Sequence, residues 1–492
     1  MEPTTQPGID VLNPKETKSL PSDSFLQQHA RLWMALLLCL TDLTSLSLAG
    51  LGSIGLRRLI GPVDHLDLYW NLAPIFLIFL TAYALRGLYP AVGLSPVEEL
   101  SRLSTATTVV SLFAIAFTFF IRSAEFYSRL AFAFFWILAL FMVPLGRWIV
   151  RVVAVQLNLW GESVAVVGSG VQSQHIVEFL LKRMRFGLRP VVVLSDNSEE
   201  NYDGSLPRLV INQESDLRDV LRRSGINTAI LVASEIPETL QKTVVNQQRC
   251  GFRRLILISD FSWIGSLGVT PYDLEGLLGL EIRQNLLNPW QQVIKRLLDL
   301  LVCTLTGFLM LPFFAIFALL IRLDSPGPVF YSQVRVGKNG RKFTVWKFRT
   351  MVADGDRILD DYIKTYPQAQ EEWQSTQKLK KDPRITAVGR FLRRLSLDEL
   401  PQLYNVLKGE MSFVGPRPMM VDQVKLHQEG FLLYQCVRPG MTGLWQVSGR
   451  ADTTYTDRVR YDEYYIRNWS LWMDVYIMLR TVWVVARGEG AY

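Results

Sequence analysis

"KRLLDLLVCTLTGFLMLPFFAIFALLIRL", Lys295–Leu323, decides how this chain is divided. Its apolar run is long enough to cross the ~30 Å of hydrocarbon that ~20 helical residues span. As a true span it would put everything after it on the opposite membrane face from everything before it. Two features favour a re-entrant helix-break-helix over about 297–321. Pro312 sits mid-run, where proline removes a backbone hydrogen bond and kinks a helix. Lys295 and Arg296 precede the run and Arg322 closes it, and cations hold helix ends on the cytoplasmic side. On these residues alone an ordinary fifth span stays open.

Upstream, apolar stretches near 32–56, 69–88, 104–121 and 130–150 predict four transmembrane helices within 31–155. Lys15, Lys18 and Arg31 before the first, with Arg147 and Arg151 closing the fourth, place both flanks in the cytoplasm. Arg57 and Arg58 run against this, since they fall in a loop assigned to the outside. Asp42, inside the first span, reads as a polar contact between helices, with an intramembrane functional role as the alternative. Residues 1–30 are polar and rich in Pro, Ser and Thr, with no signal-peptide pattern, and are expected to form a disordered cytoplasmic tail.

Between the fourth stretch and Lys295 the texture changes. "SVAVVGSGVQSQHIVEFLLKR" (Ser163–Arg183) reads as buried strand, glycine turn and helix. "RPVVVLSDN", "NTAILVAS" and "RRLILISD" supply further strands, the first ending at Asp196. The alternation predicts a Rossmann-like α/β domain over 160–285. Gly168 and Gly170 open a G-x-G-x-x-S turn, with Ser173 where a third glycine would stand. Such a turn lays nucleotide phosphates on a helix N-terminus, or is a plain tight turn in a scaffolding domain.

The 492-residue chain is 49% hydrophobic and carries a net charge of +7, which favours anionic partners such as phosphorylated substrates, acidic lipid or nucleic acid. Cys39, Cys250, Cys303 and Cys436 have no metal-ligand spacing, so neither a zinc site nor a disulfide framework is indicated. Four histidines leave little scope for histidine chemistry.

Beyond the Pro312 run the chain is strongly basic, with Arg335, Lys338, Arg341, Lys342, Lys347 and Arg349. "RFLRRLSLDELPQLYNVLKGEMSFVGPRP" (Arg390–Pro418) then sets two adjacent acids, Asp398 and Glu399, behind a cationic run. Ser396 to Glu399 fits a capping box; Pro401 fits better with Asp398 as cap, and the register stays open. The helix dipole, Arg393 and Arg394 are expected to lower the Asp398 pKa. Neighbouring helical residues diverge by about 100°, so the two acids suit two roles, one attacking or accepting a proton and one holding a metal. Acids that merely complement a dipole are the bland alternative. A basic face touching acidic lipids accounts for some of these charges, but not for the carboxylates or the rigid Pro416-Arg417-Pro418. The last apolar segment, "YYIRNWSLWMDVYIMLRTVWVVARG", reads as a helix in the membrane interface or an amphipathic core helix.

These motifs carry a family resemblance. "KRLLD", the Pro312 break, "SPGPVFYSQVRVG", "FTVWKFRTM", "SLDELPQLYNVLKGEMSFVGPRP", "RPGMTGLWQVSGR" and "GEGAY" resemble the large monotopic phosphoglycosyl transferases, a family of bacterial sugar transferases, nearest its galactose-transferring members. The specific motifs cover 290–492, and the four spans and Rossmann-like unit match more loosely. The resemblance implies a mainly α-helical monotopic catalytic domain over 290–492 on the cytoplasmic face of the bacterial inner membrane. It implies Asp398 as nucleophile toward a UDP-hexose, Glu399 on Mg²⁺, and Arg393, Arg417, Lys347, Arg349 and Arg335 on phosphate. Undecaprenyl phosphate is then the acceptor, in the first membrane step of O-antigen, capsule or exopolysaccharide synthesis. Galactose is the expected hexose, with glucose the alternative. No nucleic-acid partner is expected, and a homodimer is the candidate assembly. Two rivals remain open. Asp354-Gly355-Asp356 matches the D-x-D pattern of metal-dependent glycosyltransferases, which would release UDP rather than UMP. A membrane sensor would release neither.

Overall fold

The computed structural model describes residues 29–61, 72–120, 128–168, 170–195, 206, 208–210, 226–236, 254–258, 269–274, 277–282, 286, 289–376, 379, 382–426, 428–448 and 455–487. The expected tail over 1–30 lies outside these residues except for its last two. So do Asp196 and the helical segments expected between the later strands. The chain divides into two compact units, Met1–Ser262 and Trp263–Tyr492.

The first unit opens with α1 (Ala30–Ile60), α2 (Ile75–Leu85), α3 (Pro96–Phe120) and α4 (Arg129–Gln156). Leu46, Phe79, Tyr83, Leu103 and Val143 form their shared core, while large apolar side chains such as Leu36, Leu112 and Phe141 face outward. α1, α3 and α4 are long and apolar enough to cross a membrane. The stretch expected to span over 69–88 is described as helix only from Ile75, after a turn at Leu72–Pro74. Its 11 residues reach about 16 Å, half the hydrocarbon thickness. Proline at the cap and Gly87 at positive φ bound it. Asp42 is the inter-helix contact expected of it. The Arg147 guanidinium donates to Asp42 at 2.5 and 2.8 Å and to Glu99 at 3.0 Å. Tyr89 donates to the same Asp42 carboxylate, so α1, α3, α4 and the turn after α2 meet at one buried guanidinium.

A five-stranded parallel sheet follows, in the order β3-β2-β1-β4-β5. Its strands are β1 (Glu162–Val167), β2 (Leu188–Ser195), β3 (Arg208–Val210), β4 (Thr228–Val232) and β5 (Arg254–Ile258), with α5 (Val171–Lys182) between β1 and β2. Successive residues alternate between two cores. Ala165, Val167 and Leu231 fill one, Val166, Val193 and Val232 the other. Strands covered on both faces read as unbroken apolar runs, as these do.

The second unit takes in the antiparallel hairpin β6 (Val269–Leu274) and β7 (Leu277–Ile282), which the sequence reading assigned to the preceding domain. α6 (Pro289–Asp324) is also long and apolar enough to cross a membrane. It runs as unbroken helix through Pro312 for 36 residues, about 54 Å, so the expected helix-break-helix is instead one proline-containing helix. After it come the antiparallel pair β8 (Phe330–Val336) and β9 (Lys342–Phe348), then α7 (Gly355–Thr365), α8 (Pro367–Thr376) and α9 (Ala387–Arg394). A 3₁₀ turn, Leu397–Gln402, leads into α10 (Leu403–Lys408). The parallel pair β10 (Ser412–Val414) and β11 (Gly440–Thr442) brackets α11 (Gln428–Tyr434). α12 (Leu444–Ser448), α13 (Tyr455–Asn468) and α14 (Leu471–Arg487) complete the unit. The last apolar segment is thus two helices rather than one. Ser470 starts the second by accepting Met473 N–H on its hydroxyl at 3.1 Å.

α6 is fastened to this unit toward both of its ends. Near its start Lys295 donates to Asp474 at 2.7 Å and to the Val414 carbonyl at 3.0 Å. Asp299 accepts from Ser412 Oγ at 2.6 Å and Phe413 N–H at 3.0 Å. Cys303, Phe317 and Ile321 share a core with Phe348, Leu392 and Leu403. At its end Asp324 accepts Val388 N–H at 2.8 Å. The opposite stripe, including Leu301, Leu305, Phe308, Leu309 and Leu319, is exposed.

Candidate active site

The β8–β9 hairpin turns through Asn339 and Gly340, both at positive φ. Its register pairs Arg335 with Phe343, Gln333 with Val345 and Tyr331 with Lys347. Alternation puts all six on one face, with Phe343 and Val345 anchored in the core and Arg335 and Lys347 left as the cationic members.

The acid pair is carried by the 3₁₀ turn. α9 is capped by Thr386, whose Oγ1 accepts Gly389 N–H at 3.0 Å. The chain then reverses at Ser396, which is left-handed (φ 53°) and makes no side-chain capping bond, so the expected capping box does not form. With about three residues per 3₁₀ turn, positions i and i+3 align. Leu397 and Leu400 both face the core, and Glu399 and Gln402 both line one pocket. Asp398 therefore projects to a third side, and the two acids diverge.

That pocket gathers Arg335, Lys347, Glu399, Arg417 and Pro418. Lys347 Nζ donates to Glu399 Oε1 at 2.7 Å. Arg335 donates to Gln333 Oε1 at 2.7 Å and to the Pro418 carbonyl at 3.3 Å. Arg417 lies over the Trp445 ring, 5.4 Å from its centroid, with Arg458 also over that ring at 4.8 Å. The direction of Pro416-Arg417-Pro418 follows from a close backbone crossing. Gly415 N–H donates to Thr442 O at 2.9 Å and Gly440 N–H to Pro416 O at 2.8 Å. A Cβ on Gly415 would sit 2.7 Å from the Arg438 carbonyl oxygen, so only glycine fits.

Asp398 departs from expectation in its acidity. Burial, then the neighbouring Glu399 charge, push its pKa up to about 6, while Lys347 and Arg393 pull it back. The shift is upward, against the direction expected from the dipole and the arginines, because desolvation outweighs the nearby cations. Arg393 is held by a 2.8 Å bond from its Nε to Thr350 Oγ1.

Not every predicted residue joins the pocket: Asp398 and Arg393 are not among its lining residues. Arg349 is buried and donates to the Pro326 carbonyl at 2.9 Å and to that of Ser325, so it fastens the loop after α6. Pro312 lies mid-α6. Asp354 precedes α7 and does not line the pocket, and the Asp356 side chain lies outside the described residues. Gly168 and Gly170 belong to the other unit, at the start of α5. The sequence reading missed Gln402, Gly440, Met441 and Gln446, which also line the pocket. The i+3 spacing from Glu399 would have found the first, and the Gly440–Gly443 spacing before Trp445 marked the rest. It also missed Asp462, pushed up to about 8 by burial despite Arg417 and Arg458 nearby.

Among the described residues no three His, Cys, Asp or Glu side chains cluster as a metal cage. Mg²⁺ commonly needs only one or two carboxylates beside substrate phosphates; Glu399 is the carboxylate that lines this pocket, and Lys347 holds it.

The profile described as "Bacterial sugar transferase" matches residues 290–488, and one described as "CoA-binding domain" matches 84–227. The chain is 34% identical to the undecaprenyl-phosphate galactose phosphotransferase of Salmonella typhimurium, over 80% of this chain and 82% of that protein. It is 32% identical to the UDP-glucose:undecaprenyl-phosphate glucose-1-phosphate transferase of Escherichia coli K12, over 67% and 68%. The exopolysaccharide production protein ExoY of Rhizobium meliloti is 46% identical over 40% of this chain but 88% of its own length. With a relative at this identity aligned over four-fifths of both chains, and the acid pair inside the matched profile, this chain belongs to the bacterial sugar transferase family.

Proposed function

We propose that the protein transfers a hexose-1-phosphate from a UDP-sugar to undecaprenyl phosphate, releasing UMP, through a covalent phosphosugar–aspartate intermediate. The observation that carries this is the placement of Asp398 and Glu399 on one 3₁₀ turn, against Lys347 and beside a pocket walled by Arg335 and Arg417. An Asp398 carboxylate oxygen attacks the sugar-side phosphorus. The bond from that phosphorus to the bridging oxygen breaks, and UMP leaves with its electrons. A phosphate oxygen of undecaprenyl phosphate then attacks the same phosphorus and Asp398 leaves as carboxylate. Covalent catalysis thus divides one displacement into two. Arg335 and Arg417 hold diphosphate oxygens, and Lys347 orients Glu399 by their 2.7 Å bond. Glu399 would hold Mg²⁺, which when bound supplies neutralising charge at the diphosphate.

Galactose is the proposed hexose, supported by the name of the Salmonella relative; the glucose-1-phosphate transferase among the relatives makes UDP-glucose the necessary comparison. A monotopic topology, in which the unbroken α6 enters the membrane without crossing it, is proposed because both ends of the helix are tied to one body. Asp299 and Asp324 are 25 residues apart, about 38 Å of helix, yet both bind backbone of the same compact unit. A spanning helix would draw those anchors to opposite faces. The exposed leucine stripe then enters lipid from the cytoplasmic face of the inner membrane, where a soluble UDP-sugar and a polyprenyl phosphate meet.

The test is intact-protein mass spectrometry after incubation with UDP-hexoses in the absence of acceptor. Wild type should gain the mass of a hexose phosphate, and Asp398→Asn should not. An Asp398→Asn protein with normal turnover would end the proposal. Single cysteines at 293 and 326, in a background without native cysteines, should label only from the cytoplasm; periplasmic labelling at 326 means a true span.

A further inference from the structure

The turn from Gly168 to Ser173 joins β1 to α5, where doubly wound folds lay a phosphate on the helix N-terminus. In this chain a carboxylate already sits there. Glu235, from the short turn after β4, accepts Gly170 N–H at 3.0 Å and Gln172 N–H at 2.6 Å. Ser173 N–H reaches its two oxygens at 3.2 and 3.3 Å, and the Ser173 hydroxyl donates to it as well. β4 neighbours β1 in the sheet, which brings Glu235 beside the turn.

The fit is close. A Cβ on Gly170 would lie 2.5 Å from Glu235 Oε1, and one on Gly168 would lie 2.9 Å from Oε2. Gly170 therefore makes room for this side chain, in the way such glycines make room for a pyrophosphate, and Gly168 makes room first for Ser173 Oγ and then for Glu235. Ser173, the departure from a third glycine, is one of the groups that hold Glu235. Three orphan N–H donors and the positive end of the helix are satisfied from within the chain. An incoming diphosphate would have to break these bonds and lie against a displaced anion.

We propose that Glu235 is a built-in substitute for the nucleotide phosphate. It keeps the turn in its phosphate-bound arrangement, and the domain takes neither coenzyme A nor a dinucleotide, although its profile is that of a CoA-binding domain. The role of the sheet is then independent of ligand supply. None of this depends on the transferase reading.

The full chain in nanodiscs is examined by hydrogen exchange over the 168–182 segment and by thermal shift, with coenzyme A, ADP or inorganic phosphate. Wild type should show protected amides at the start of α5, unchanged by any of the three. Glu235→Ala should speed their exchange roughly tenfold or more, and inorganic phosphate should restore protection in that variant alone. Glu235→Gln, which keeps an acceptor without charge, should fall between and serves if the alanine variant does not fold. Saturable stabilisation of wild type by coenzyme A or ADP would overturn the proposal. So would unchanged exchange in the variants, or faster exchange that phosphate does not reverse.

Discussion

The raised pKa of Asp398 sets a pH limb that can be read in the first half-reaction. With a pKa of about 6, about nine-tenths of the carboxylate is ionised at pH 7 and about one-tenth at pH 5. An aspartate at its ordinary 3.8 would still be more than about nine-tenths ionised at pH 5. Single-turnover adduct formation should therefore fall about tenfold between pH 7 and pH 5. Measuring without undecaprenyl phosphate matters, because a phosphomonoester itself titrates near 6. The surrounding charges give the sign for variants. Lys347→Met removes a cation that favours the carboxylate, so the limb should move to higher pH. Glu399→Gln removes a neighbouring negative charge, so it should move to lower pH. Quenched-flow mass spectrometry from pH 4.5 to 8 supplies the profile. A wild-type limb near pH 4, or one that stays put in both variants, would refute this account of the site.

Arg147→Leu should cost about 3–5 kcal/mol of stability, because it strands Asp42 in the bundle core while Glu99 keeps Arg151; unfolding in detergent measures it. Arg349→Lys should lower the melting temperature and leave KM for the UDP-sugar unchanged, since this arginine fastens the Ser325–Pro326 carbonyls, whereas Arg417→Lys should raise KM at near-normal stability. A fragment from Gln284 should still release UMP in nanodiscs containing polyprenyl phosphate. The profile match begins at residue 290, and ExoY aligns over 88% of its own length to 198 residues of this chain. A folded but silent fragment, rescued by the first unit, would place part of the active site elsewhere.

What the sequence showed plainly was what local pattern encodes. β1, β2 and β4 are buried on both faces and read as unbroken apolar runs, and the apolar length of α6 needs no tertiary information. The failures came where a distant residue decides. Glu235 fills a turn more than sixty residues before it in sequence, and no spacing rule connects the two. Arg349 sits in the same basic run as Lys347, yet the loop after α6 captures it. Ser396 satisfied the letter of a capping box but took a left-handed turn. The 3₁₀ geometry then replaced an α-helical register and brought Gln402 beneath Glu399. Desolvation of Asp398 is a property of the packed domain, so the charges visible in the sequence supplied only the smaller, opposing part of its shift.

That correction changes the role of the basic neighbourhood on the proposed route. Burial and the Glu399 charge alone would hold Asp398 protonated to higher pH; Lys347 and Arg393 bring it back to about 6. The leaving UMP and the attacking polyprenyl phosphate are phosphomonoesters, whose second ionisation also lies at about 6. The first half-reaction therefore exchanges one oxygen nucleophile for another of similar basicity, and so does the second. An aspartate at 3.8 would attack less readily, and its mixed anhydride would lie higher above both flanking states. One held well above 7 would be protonated and a poorer leaving group. The cations keep the carboxylate ionised at neutral pH, and burial keeps it basic. An intermediate that must form by displacing one phosphate and vanish by yielding to another needs both conditions at once.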